Sequence, residues 1–185
     1  MESREPILTL EPLLEAVREG LENHGWELSG LQKTTSHEFE GRWAGDSSRS
    51  AYLFFHRPEP LEHVSIDVFL DETSKGLRAN LALVFDAPKL ASLPDPARLL
   101  ETLRAESAKA LPEGYTVPIS VRLRGASARV SAAEVETEVR VKLVVPPAAF
   151  EAGHDAIASL ATSTARAFEV FCAQPEIGKL MLYNA

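Results

Sequence analysis

The stretch HVSIDVFL (63–70), DETSKG (71–76), LRANLALVF (77–85) decides the fold. In its first part Val64, Ile66, Val68 and Leu70 alternate with Ser65 and Asp67. In its last part Leu77, Ala79, Leu81, Leu83 and Phe85 repeat the same period. Successive side chains leave a strand on opposite sides, so a period of two marks a β-strand with one buried face. The intervening segment is polar, ends in Gly76 and is too short for a crossover helix. The two strands are therefore expected to pair antiparallel.

Upstream, Ser50 to His56 is expected as another strand, and His37 to Trp43 as one more, with Phe39 and Trp43 on one face. Trp26 to Gln32 makes a first strand. Before it, Leu10, Leu13, Leu14, Val17 and Leu21 recur at helical spacing. Thr9 is the expected N-cap of that helix and Gly25 its stop. Downstream, Asp95-Pro96 opens a second helix ending near Leu111. The strands Val117 to Arg124 and Glu134 to Val145 follow, and a last helix begins after Pro146-Pro147 and ends at Pro175. The order is α-β-β-β-β-β-α-β-β-α: an α+β domain over residues 1–185, with a mostly antiparallel sheet of about seven strands and three helices.

The chain has 185 residues, 45% hydrophobic and 25% charged, which suits one domain with its own core. A net charge of -8 argues against nucleic acid or an anionic membrane as partner, because both need a basic face. The single cysteine, Cys172, demands no oxidising compartment, and no apolar run has membrane length. The expected location is the cytoplasm.

Catalytic patterns are scarce. The chain carries no Walker loop, dinucleotide fingerprint, nucleophile elbow or His-Glu-x-x-His. No cofactor and no metal site are expected. His63 and Asp67 would lie about 13 Å apart along a strand, too far to share a metal. His154 and Asp155 open the last helix, where Asp155 complements the helix dipole. Cys172 falls on an apolar helical stripe and reads as an inert buried thiol. Glu134, Glu136 and Glu138 alternate on one strand, as Ser120, Arg122 and Arg124 do on the strand before it. If the two strands pair, acids and arginines meet across them.

One strand departs from the pattern. In AYLFFH (51–56), Ala51, Leu53 and Phe55 form one apolar face, and Tyr52 and Phe54 form another. A sheet with one solvated face does not need both. Either a helix of the same chain covers the second face, or a second copy or another protein does. The candidate partner-binding residues are accordingly Phe39, Trp43, Tyr52 and Phe54.

The succession Leu10 to Asn23, the strands from His37 to Phe85, the helix from Pro96, the strands Val117 to Val145 and the helix from Ala148 resembles the type III secretion chaperone-like fold shared by bacterial YbjN-type proteins. That resemblance implies a small acidic protein that binds other polypeptides and often dimerises. The expected function is thus a non-catalytic, chaperone-like binding module acting through an apolar sheet surface. The alternative is a small-molecule-binding protein or enzyme with a pocket between sheet and helices, lined by Trp26, Trp43, Tyr52 and His56.

Overall fold

A computed structural model describes residues 5–36, 48–57, 59, 61, 63–93, 95–112 and 118–182. The order is α1 (Leu10–Glu22), β1 (Glu27–Ser36), β2 (Ser48–His56), β3 (Val64–Thr73), β4 (Gly76–Ala87), a 3-10 turn (Leu90–Ser92), α2 (Pro96–Ala110), β5 (Ile119–Arg124), β6 (Glu136–Val144), α3 (Pro147–Glu151), α4 (His154–Cys172) and α5 (Pro175–Leu182). The strands form one sheet in the order β1-β2-β3-β4-β6-β5, with every neighbouring pair antiparallel.

The period-two stretch behaves as its alternation requires. β3 pairs with β4 from Val64 opposite Phe85 to Thr73 opposite Gly76, which turns at φ 112°. Val64, Ile66, Val68, Leu70, Leu81, Leu83 and Phe85 are all buried. They join Leu13, Val17 and Leu21 of α1 and Ile157, Phe168 and Phe171 of α4 in one core. Every helix contributes to this cluster, so the helices form a single layer on one side of the sheet. Burying one Leu- or Phe-sized side chain is worth about 1.5–3 kcal/mol, which makes this layer the main source of stability.

α1 and α4 cross closely at Gly20. A Cβ there would lie 2.2 Å from the Ala158 carbonyl oxygen and 2.7 Å from Ala161 Cβ. Thr162 Oγ1 donates to the Gly20 carbonyl oxygen at 2.8 Å, fastening the crossing.

Several expectations are corrected. Among the described residues the sheet has six strands and there are five α-helices, against seven and three expected. The expected strand His37 to Trp43 lies outside the described residues, and β1 runs on to Ser36. The last helix is divided. Gly153, at φ 88°, interrupts it after α3, and Pro175, expected to end the last helix, also starts α5. Thr9 stands at the N-cap of α1, but its side chain makes no cap bond. Instead Glu72 of β3 accepts from the Leu10 amide at 2.6 Å, a carboxylate placed at the positive end of the helix. Asp95 caps α2 as expected, accepting from the Ala97 amide at 2.9 Å.

Candidate functional site

The open face of the sheet is built by the residues that alternate with the core. On β2 these are Tyr52 and Phe54, which are 40% and 37% exposed. Tyr52 stands opposite Phe69 of β3, with ring centroids 4.9 Å apart and planes tilted by 43°. Such a tilted pair adds about 0.5–1.5 kcal/mol beyond its buried area. Phe54 stands opposite Gly30 of β1. A Cβ on Gly30 would come within 3.2 Å of the Phe54 ring, so the glycine lets the ring lie against the β1 backbone. The three rings border an open depression of about 300 Å³. Asp67, Asn80, Arg122 and Arg140 form its polar margin.

That margin is a cross-strand ion-pair array. β5 and β6 pair with Arg122 opposite Glu138 and Arg124 opposite Glu136, the meeting of acids and arginines expected if the two strands paired. Arg140 donates to Asp67 at 2.8 Å and to Glu138 at 2.9 Å. Arg124 pairs with Asp86 at 2.6 Å and Glu136 at 3.2 Å.

The four expected partner-binding residues therefore divide. Tyr52 and Phe54 lie together on the open face, whereas Phe39 and Trp43 lie outside the described residues. No helix among the described residues covers the two rings, because the helical layer sits on the other side. Phe69 escaped notice in the sequence, although its parity with Ser65 and Asp67 assigns it to this face. It is the one apolar residue in the outward row of β3, which runs Ser65, Asp67, Phe69, Asp71, Thr73.

The residues proposed to line a pocket between sheet and helices are not brought together. Trp26 is buried in the core and donates to Glu169 of α4 at 3.1 Å, whereas Tyr52 faces away from the core. His56 lies 2.7 Å from Ser29 Oγ, in the bulge of β1, and so closes the end of the β1-β2 pair. Trp43 is outside the described residues.

Other ionisable clusters join elements. Glu169 accepts from Trp26 and Arg57 and lies 3.0 Å from His24 Nε2, tying the α1-β1 turn and the end of β2 to α4. His154 pairs with Glu19 across the α1-α4 crossing at 2.6 Å, and Asp155 lies in the first turn of α4. Arg49 bridges Glu11 at 2.5 Å and Glu72 at 2.7 Å. Its hydrogen bond holds the Glu11 carboxyl below the usual range. Burial, reinforced by the Glu169 charge, pushes the Cys172 thiol up to about 12, as an inert core cysteine should behave. Among the described residues no group of three or more His, Cys, Asp or Glu is placed to hold a metal, and no helix is long and apolar enough to cross a membrane. No family model, curated protein or solved structure matches this chain.

Proposed function

We propose that this chain is a non-catalytic protein-binding module, chaperone-like in action, that works in the cytoplasm through the open face of its sheet. The observation that carries this reading is the trio Tyr52, Phe54 and Phe69. Aromatic rings stand half-exposed in the interior of a sheet whose helices all lie on the other side. A contiguous apolar patch inside a polar rim is the usual make-up of a protein interface. The resemblance in element order to polypeptide-binding chaperones accords with it.

The test is affinity capture from a lysate of the source cell with the purified chain and with Tyr52→Ser/Phe54→Ser. Unfolding free energies from urea melts that agree within about 1 kcal/mol show that both remain folded. The expected result is one defined protein retained by the wild type and lost by the double variant. Identical retention by both refutes the role of this face.

A second reading has an observation of its own. The depression, at about 300 Å³, is as large as the smaller ligand sites, and Asn80 and Asp67 offer polar contacts. Native mass spectrometry of the purified chain decides it: a stoichiometric small molecule supports this reading, and a bare chain mass counts against it.

A further inference from the structure

The open face has two unlike halves. Tyr52, Phe54 and Phe69, on β2 and β3, make one side of the depression apolar, while Arg122 and Arg140, on β5 and β6, with Asp67 of β3 make the other side charged. The two guanidinium groups are not equivalent. Arg140 is engaged by Asp67 at 2.8 Å and Glu138 at 2.9 Å, so its charge is answered within the sheet. Arg122 is 61% exposed, and among the described residues the carboxylate in ion-pair range is Glu138, at 3.9 Å. That is beyond hydrogen-bond reach, and the same Glu138 oxygen already accepts from Arg140. Glu138 is itself nearly buried, with Arg124 a further 3.9 Å contact. Of the three arginines around Glu138, Arg140 also has Asp67 and Arg124 has Asp86 and Glu136, so Arg122, which lines the depression, is the one with no hydrogen-bonded carboxylate among the described residues.

From β2 to β5 the face spans four strand spacings, about 19 Å. That width accommodates an α-helix, about 10–12 Å across with its side chains. Resting on the protein-binding reading above, we propose that the open face receives an amphipathic helix of a partner protein. Its apolar stripe sits over Tyr52, Phe54 and Phe69, and its acidic flank meets Arg122. The rings supply the buried contact; the Arg122 guanidinium, 3.9 Å from Glu138 and without a hydrogen-bonded carboxylate among the described residues, fixes the direction in which the helix lies and selects against basic partners.

The test uses the full chain and a phage-displayed library of 16-residue peptides. Selected peptides are synthesised with a fluorophore and titrated by anisotropy. The account expects them to carry aromatic or aliphatic residues at i, i+3 or i+4 spacing with Asp or Glu on the flank. It expects Tyr52→Ser to abolish binding and Arg122→Gln to weaken it about tenfold, as for a charge pair closed by a partner. Arg124→Gln is the control, since Asp86 and Glu136 already answer that charge, and it is expected to change binding less than twofold. Arg122→Gln alters only an exposed edge-strand side chain, so it remains informative even if Tyr52→Ser proves unstable. Peptides that need Tyr52 but show no acidic preference and ignore Arg122→Gln overturn the inference while leaving the protein-binding reading in place. Peptides indifferent to Tyr52 also overturn it, and the lysate capture then judges that reading separately. A dimer in sizing chromatography that Tyr52→Asp converts to monomer makes a second copy the occupant and overturns the inference as well.

Discussion

Replacing Gly20 by alanine sets two effects of opposite sign against each other. In a free helix the change stabilises by about 1 kcal/mol, because alanine loses less backbone entropy. Here the added methyl would sit 2.2 Å from the Ala158 carbonyl oxygen, 3.0 Å from its carbon and 2.7 Å from Ala161 Cβ. The obstacle is mostly backbone of α4, which cannot rotate away as a long side chain can. Restoring ordinary contact needs α1 and α4 to part by about 1 Å. Overpacking of this kind costs about 1–3 kcal/mol. Separation also stretches the 2.8 Å bond from Thr162 Oγ1 to the Gly20 carbonyl, worth about 1 kcal/mol. The net expectation is a destabilisation of about 2 kcal/mol, or about 4–8 °C in Tm for a chain of this size. Urea unfolding followed by circular dichroism measures it. Gly178→Ala is the internal control: it lies within α5 with nothing within 4 Å of an added Cβ, so it should stabilise by about 0.5–1 kcal/mol. If Gly20→Ala raised the midpoint as Gly178→Ala does, the α1-α4 crossing would not be packed as described.

Three further outcomes are expected. Thr137 is fully buried and its hydroxyl has no hydrogen-bond partner among the described residues, so Thr137→Val should stabilise by about 1 kcal/mol; a loss of stability in urea melts would mean the hydroxyl is satisfied. With a thiol pushed up to about 12, Cys172 is roughly one part in 10,000 thiolate at pH 8, so iodoacetamide labelling should follow the urea unfolding curve, and rapid labelling of the native chain would contradict its burial. The Glu11 carboxyl is lowered by the Arg49 hydrogen bond, so its contribution is complete above the unfolded glutamate value and fades as pH falls through the lowered folded value. The stability difference between wild type and Glu11→Gln, measured by urea melts from pH 7 to 3, should therefore shrink toward the acid end; a difference independent of pH would sink the assignment.

Much of the fold was legible because burial imposes period on sequence. The alternation of Val64 to Leu70 and Leu77 to Phe85 specified two strands and their inward faces, and β3 and β4 present those faces to the core. The charge parity of Arg122, Arg124, Glu136 and Glu138 anticipated that acids and arginines would share a face if their strands paired, as β5 and β6 do. What escaped depended on contacts distant in sequence. The cap of α1 comes from Glu72, sixty-two positions away from Leu10, and local spacing cannot disclose it. The division of the last helix at Gly153 was hidden because the apolar stripe resumes after the break. At the site, Tyr52 and Phe54 stood out because their strand was apolar on both faces. Phe69 did not, because its neighbours on the same face, Ser65 and Asp67, are polar. Gly30, which makes room for the Phe54 ring, carried no signal until β1 and β2 were placed side by side.

The central claim is that the second face of the sheet is open in the free chain and covered when the protein acts. Hydroxyl-radical footprinting of Tyr52, Phe54 and Phe69, read by mass spectrometry, measures this directly, first on the purified monomer and then on the complex recovered from lysate. The account predicts ready oxidation of Tyr52 and Phe54 in the monomer and protection of both in the complex, with the core residue Phe55 protected throughout. Protection of Tyr52 and Phe54 in the isolated monomer, or undiminished oxidation in the complex, would contradict it.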